Sequence, residues 1–156
     1  INRSKNKTAA RRCKSHVQNR LTGTTPLPKS RAYINNGGDL ICETSGNGYD
    51  KARSTLSHTL RFGIEELVRI AGSQANNGTG NDLNNKIVGN ASANILSGRA
   101  GTYTLFGGAG ADQLFGTDGN DWLYGGASGD VLLGDAGCDT LAAGIEDDLI
   151  IITGPS

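Results

Sequence analysis

Aromatic residues make up only 5% of this 156-residue chain, which also holds just two histidines, three cysteines and three prolines. Each scarcity removes a class of function. His16 and His58 belong to no H-E-x-x-H helix and to no two-histidine metal spacing, which excludes that form of zinc hydrolase. Cys13, Cys42 and Cys138 contain no C-x-x-C pair and, being odd in number, form no complete disulfide framework. Cys138 sits among acids and reads as an exposed passenger thiol. There is no G-x-S-x-G elbow, and Gly46-Asn47-Gly48 and Gly108-Ala109-Gly110 lack the third glycine and following helix that a dinucleotide site needs. No apolar run is long enough for a membrane-spanning helix, and no secretory h-region is present.

Charge is missing locally rather than globally. Residues 1–31 contain nine Lys or Arg and no acid, while residues 107–156 contain nine acids and no base, so a formal net charge of zero conceals two polyelectrolytes. Residues 1–29 read as a flexible basic arm. No aromatic or fold-level reader accompanies its charge, so no nucleic-acid partner is expected. The clustered acids could pass for a glycosidase pair, but periodicity accounts for them more simply.

Glycine is abundant, at 24 residues. Eight consecutive nine-residue windows, beginning at Gly80 and ending at Ile151, each carry Leu or Ile at the eighth position: Ile87, Leu96, Leu105, Leu114, Leu123, Leu132, Leu141 and Ile150. Chance would give such phase on the order of once in a million. In the last five windows the sixth position is aspartate: Asp112, Asp121, Asp130, Asp139 and Asp148. With 36% hydrophobic residues and few bulky ones, the chain is poorly suited to a compact globular core, whereas a solenoid needs only one thin aliphatic ladder per face. The pattern predicts stacked short strands, three residues each as in Gln113-Leu114-Phe115, joined by glycine-rich turns that hold a cation. Leu114, Leu123 and their ladder partners are expected in the core, with Phe106, Phe115, Trp122 and Tyr124 facing outward beside them.

The window Gly107-Gly108-Ala109-Gly110-Ala111-Asp112-Gln113-Leu114-Phe115 matches G-G-x-G-x-D-x-U-x and resembles the haemolysin-type, or RTX, calcium-binding nonapeptide repeat. The resemblance implies an all-β fold, a parallel β-roll (right-handed β-solenoid) in which two windows make one coil and residues 18 apart stack. Aspartates 18 apart would then face one ion, and carbonyls plus two carboxylates suit calcium, which accepts six to eight oxygens in irregular geometry. Carried over from the family, one ion takes carbonyls of Gly108 and Gly110 with Asp112, and of Gly125 and Ala127 with Asp130. A second takes Thr117, Gly119 and Asp121 with Gly134, Ala136 and Asp139. A third takes Gly126, Ser128 and Asp130 with Ala143, Ile145 and Asp148. This sequence departs from the pattern at Thr117 and Asp135 (second glycine), Ser128 and Glu146 (third) and Ala143 (first). Upstream, Asn85, Asn94 and Tyr103 hold the aspartate position, so those windows are expected to continue the roll with weak or empty sites.

The chain divides into a basic arm (1–29), a connecting segment of short strands (30–79), the nonapeptide roll (80–151) and a tail (152–156). The connecting segment resembles the stretch joining nonapeptide blocks in large RTX proteins, through Tyr33 to Glu43, Gly46-Asn47-Gly48-Tyr49-Asp50, Ser54, Thr59-Leu60 and Glu66-Leu67-Val68. Residues 60–71 fit a helical face through Ile64, Leu67, Val68 and Ala71, but β-branched Val68 and Ile70 between Gly63 and Gly72 favour strands. The resemblance implies a non-catalytic calcium-binding module of a secreted bacterial protein, exported by the type I route and folding on calcium outside the cell. The alternatives are the tail of a secreted protease, lipase or polysaccharide-modifying enzyme, or an adhesin or surface-layer piece with a polysaccharide or cell-surface partner.

Overall fold

The structure, a computed structural model, describes residues 31–35, 48–69 and 77–153. The basic arm, residues 36–47 of the connecting segment, Cys13, Cys42 and Ile70 lie outside the described residues. The described residues contain strands and no helix: β1 Arg31–Ile34, β2 Lys51–Ser54, β3 His58–Thr59, β4 Glu66–Arg69, β5 Gly78–Thr79, β6 Lys86–Val88, β7 Ile95–Ser97, β8 Thr104–Ala109, β9 Gln113–Asp118, β10 Trp122–Ala127, β11 Val131–Ala136, β12 Thr140–Ile145 and β13 Leu149–Ile151. The region open to a helical reading is therefore extended at Glu66–Arg69.

Every strand pairing is parallel, and strands 18 residues apart lie side by side, as Trp122 does with Thr104 and Thr140. One sheet runs β1-β2-β4-β6-β8-β10-β12 and the other β13-β11-β9-β7-β5-β3. From β4 onward, consecutive strands fall alternately in the two sheets, which is a β-solenoid. The connecting segment's strands join the same two sheets; there the step is irregular, Lys51 pairing with both Arg31 and Glu66.

A period of two along each strand sends one residue inward and the next outward. Ala32, Ala52, Leu67, Ile87, Leu105 and Leu123 stack inside the first sheet, and Leu96, Leu114 and Leu132 inside the second; from Ala52 on, all are fully buried. Outward, Phe106 and Tyr124 stack with ring centroids 4.8 Å apart, and Trp122 is 50% exposed.

Two expectations are corrected. The strands β8 to β12 are six residues long, not three, because the glycine-rich half of each window keeps pairing with the coil below, as in Gly126↔Gly108 and Ala127↔Ala109. Only short turns such as 110–112 are left between them. The ladder also does not stay buried to its end: Leu141 is half-buried and Ile150 is 42% exposed, since among the described residues no later strand stacks on β12 or β13.

Candidate metal centres

The turns are shaped by an alternation of backbone handedness. In the five windows from Gly107 on, the second and fourth positions all have positive φ, whether glycine (Gly108, Gly110, Gly119, Gly126, Gly137, Gly144) or not (Thr117, Ser128, Asp135, Glu146, at φ 77, 79, 68 and 87). The four substituted positions thus adopt the left-handed geometry that glycine takes without strain. Such a curl turns the chain within three residues and brings the sixth-position side chain into the roll.

Asp112, Asp121 and Asp130 are buried to within 1%. One carboxylate oxygen of each is tied to the preceding coil: the N–H groups of Asn94, Tyr103 and Asp112 donate to Oδ1 of Asp112, Asp121 and Asp130 at 2.7, 2.8 and 2.8 Å. The other oxygen, Oδ2, is buried in all three and has no hydrogen-bond partner. A buried acceptor without a donor is costly, and a buried unpaired charge more so.

The glycine at the first position of a window shows what those oxygens face. A Cβ on Gly107 would lie 2.4 Å from Asp112 Oδ2 and 2.6 Å from the Gly125 carbonyl oxygen, one coil away. At Gly116 the corresponding atoms are Asp121 Oδ2 and Gly134 O (2.5 and 2.8 Å), and at Gly125 they are Asp130 Oδ2 and Ala143 O (both 2.4 Å). Three times, then, an orphaned carboxylate oxygen and a carbonyl of the next coil border one cradle that stays open because the residue there has no side chain. Burial, the largest cause, pushes Asp112 and Asp121 up to about 6, helped by the charges of Asp130 and Asp139 and opposed by the N–H donors. Asp130 is raised by burial first and then by Asp148 and Glu146. A hard divalent cation with an appetite for oxygen answers all of these at once.

Among the described residues no three His, Cys, Asp or Glu side chains converge as a metal cluster, so any ion here relies on carboxylate pairs and backbone carbonyls. The pairs are Asp112 with Asp130, Asp121 with Asp139 and Asp130 with Asp148, linked by hydrogen bonds at 2.8, 2.9 and 2.8 Å. Asp139 and Asp148 are only half-buried, being nearer the open end. Of the carbonyl donors expected, Gly125, Gly134 and Ala143 border cradles. Gly108 lies in β8, Ala127 in β10 and Ala136 in β11, while Gly110 and Gly119 follow β8 and β9 directly. The Ala136 carbonyl already accepts from the Gly119 N–H at 2.8 Å, which leaves it a second lone pair.

The windows without aspartate close their turns differently. Asn85 and Asn94 accept from the N–H of Asn81 and Asn90 within their own turns, both at 2.8 Å, and donate through Nδ2 to Ile64 O and Asn90 Oδ1. Tyr103 is fully buried, its ring lying against Gly80 and Gly98 and its hydroxyl donating to Asn81 O. A neutral amide or a ring does there, without charge, what a carboxylate does downstream. Sequence reasoning also missed Glu65: its Oε2 accepts from the Asp50 N–H at 2.7 Å, the same reach between coils, but the coil is fifteen residues long and breaks the period. Cys138 is free and exposed, as expected, and among the described residues no helix is long and apolar enough to cross a membrane.

A family model described as RTX calcium-binding nonapeptide repeat (4 copies) matches residues 79–114, 106–141 and 115–150. No curated protein and no solved structure matches the chain. The match spans the coils whose turns alternate in handedness and whose carboxylates border the cradles: residues 79–150 are a block of RTX calcium-binding nonapeptide repeats, wound as a parallel β-roll.

Proposed function

We propose that this chain is the non-catalytic calcium-binding roll of an exported RTX-type protein, disordered where calcium is scarce and wound up where it is plentiful. The observation that carries the reading is the trio of buried, unpartnered oxygens, Asp112 Oδ2, Asp121 Oδ2 and Asp130 Oδ2, each bordering a carbonyl from the next coil. Asp112 and Asp130, with carbonyls of Gly108, Gly110, Gly125 and Ala127, would hold one ion. Asp121 and Asp139, with Thr117, Gly119, Gly134 and Ala136, would hold a second, and Asp130 and Asp148, with Gly126, Ser128, Ala143 and Ile145, a third. Bound calcium supplies the positive charge that lets these carboxylates stay ionised side by side.

The chain's own groups do the rest. Oδ1 of each aspartate fixes the spacing of neighbouring coils, the first-position glycines keep the cradle open, and the aliphatic ladder excludes water from its floor. Without a counter-charge, nine acids and no base in residues 107–156 repel one another. Metal binding free energy then becomes folding free energy. Sites of the extracellular class bind at about 10⁻⁴ to 10⁻³ M, and this affinity separates a calcium-poor cytosol from the medium outside. Family membership supports export by the type I route and an extracellular location. Circular dichroism in chelator and in millimolar calcium tests the reading, together with calorimetric stoichiometry. Strand signal should appear only with calcium and saturate near three ions per chain; a complete strand signal in chelator would end it.

A further inference from the structure

We infer that Arg69 is the centre of a binding site for a small divalent oxyanion, of the sulfate or phosphate type, in the early coils of the roll. Arg69 closes β4 and is 3% exposed, yet its Nε, Nη1 and Nη2 have no hydrogen-bond partner. A guanidinium offers five N–H donors in a planar fork and accepts nothing, so only an acceptor, and preferably an anion, can satisfy it.

Register explains where it sits. Leu67 and Val68 pair with Ile87 and Val88, which sets Arg69 level with Gly89. A Cβ on Gly89 would lie 2.4 Å from Asn94 Oδ1, because this position looks into the turn. Arg69 therefore carries a cation into the same column of turns where later coils gather Asp112 and Asp130. Its titratable neighbours are the Arg61 guanidinium and the His58 imidazole. Burial first, and then Arg69 and Arg61, hold His58 below its ordinary value. Burial alone lowers Arg69 to about 10. Ser54, paired with Arg69 across β2 and β4, commits its Oγ to both the carbonyl and the N–H of Leu56, and Glu66 pairs with Lys51 at 3.0 Å. Two guanidiniums, Arg69 with its buried fork unpartnered and Arg61, beside the imidazole of His58, fit a tetrahedral dianion better than a single carboxylate. The site shares no residue with the proposed calcium ligands.

The test is thermal unfolding of the calcium-loaded chain in 10 mM sodium sulfate against sodium chloride of equal ionic strength, with a calorimetric titration of sulfate. Sulfate should bind once per chain and, for a dissociation constant of about 1 mM, raise the melting midpoint by about 4 °C. Arg69→Gln should keep the calcium-induced strand signal and lose the sulfate shift, and Arg61→Gln should weaken sulfate about threefold. Should Arg69→Gln not fold, Arg69→Lys keeps the charge without the fork and should weaken sulfate about tenfold. The proposal is overturned if the unaltered chain shows no sulfate shift, or if the Arg69 variants respond as it does, which would mark general salt exclusion.

Discussion

The backbone N–H of Asp112 donates to Oδ1 of Asp130, one coil further along, at 2.8 Å. The same reach joins Asp121 to Asp139 and Asp130 to Asp148. In Asp112, Asp121 and Asp130 the carboxylate is thus divided between two tasks: Oδ1 sets the distance between coils, and Oδ2 is left facing a carbonyl. Because Asp130 serves in two proposed ion pairs and fastens Asp112, the effects of substitution should be unequal.

Replacing Asp130 by alanine should raise the calcium midpoint for strand formation at least tenfold, about 1.4 kcal/mol, whereas Asp112→Ala should raise it by about threefold. Asp130→Asn keeps the acceptor for the Asp112 N–H and loses the charge, so it should fall between them. Circular dichroism titrations compare the three; equal midpoints for Asp130→Ala and Asp112→Ala would contradict the sharing.

Acid should partly replace calcium. With no ion bound, burial raises Asp112 and Asp121 to about 6, from an ordinary value of 3.8. A folded-state value above the unfolded one contributes stability that is fully present below about 4 and is lost as pH rises through about 6. A rise from 3.8 to about 6 corresponds to roughly 3 kcal/mol for each carboxyl, so the calcium-free chain should gain strand signal between pH 6 and pH 4. Calcium binding should weaken over the same interval, as protons compete for Oδ2. A calcium-free chain whose strand signal is flat across that range would refute the assignment.

The turn backbone makes opposite predictions at two positions. Gly137 has φ 138, and a Cβ there would lie 1.7 Å from the Gly119 carbonyl oxygen, so Gly137→Ala should cost about 3 kcal/mol or prevent folding. Ser128 already sits at φ 79, and Ser128→Gly should stabilise the calcium-loaded roll by about 1 kcal/mol. Chemical denaturation in calcium measures both.

Much of this architecture was legible because the period of nine encodes two things at once. The eighth position gives the ladder from Ile87 to Leu132, and the sixth gives the side chains that enter the turns. Even the left-handed positions were legible as glycines, and Thr117, Ser128, Asp135 and Glu146 keep that geometry because neighbouring coils impose it. What the period could not show is where coverage stops: Ile150 obeys the pattern and is still exposed, since burial depends on a neighbour and not on phase. Strand length was misjudged because glycines read as turn formers also continue the parallel pairing. Arg69 and Glu65 left no trace in the repeat, because the coils before Lys86 differ in length and their register is visible only in three dimensions.

The ladder's unevenness can be measured directly. Leu114→Ala empties a fully buried position and should cost about 3 kcal/mol. Ile150→Ala, at the uncovered end, should cost less than about 1 kcal/mol. Similar losses at the two positions would mean that Ile150 is covered in solution.

The links between aspartates all point one way. In these three links the donor N–H finds its acceptor eighteen residues later, so this carboxylate clasp on a coil closes only once the stretch following it has arrived, whereas the ladder bonds of Val131 and Thr140 reach back to the coil before. A newly wound coil is therefore held to its predecessor by the ladder alone, and each added turn supplies the carboxylate clasp that the one behind it lacked.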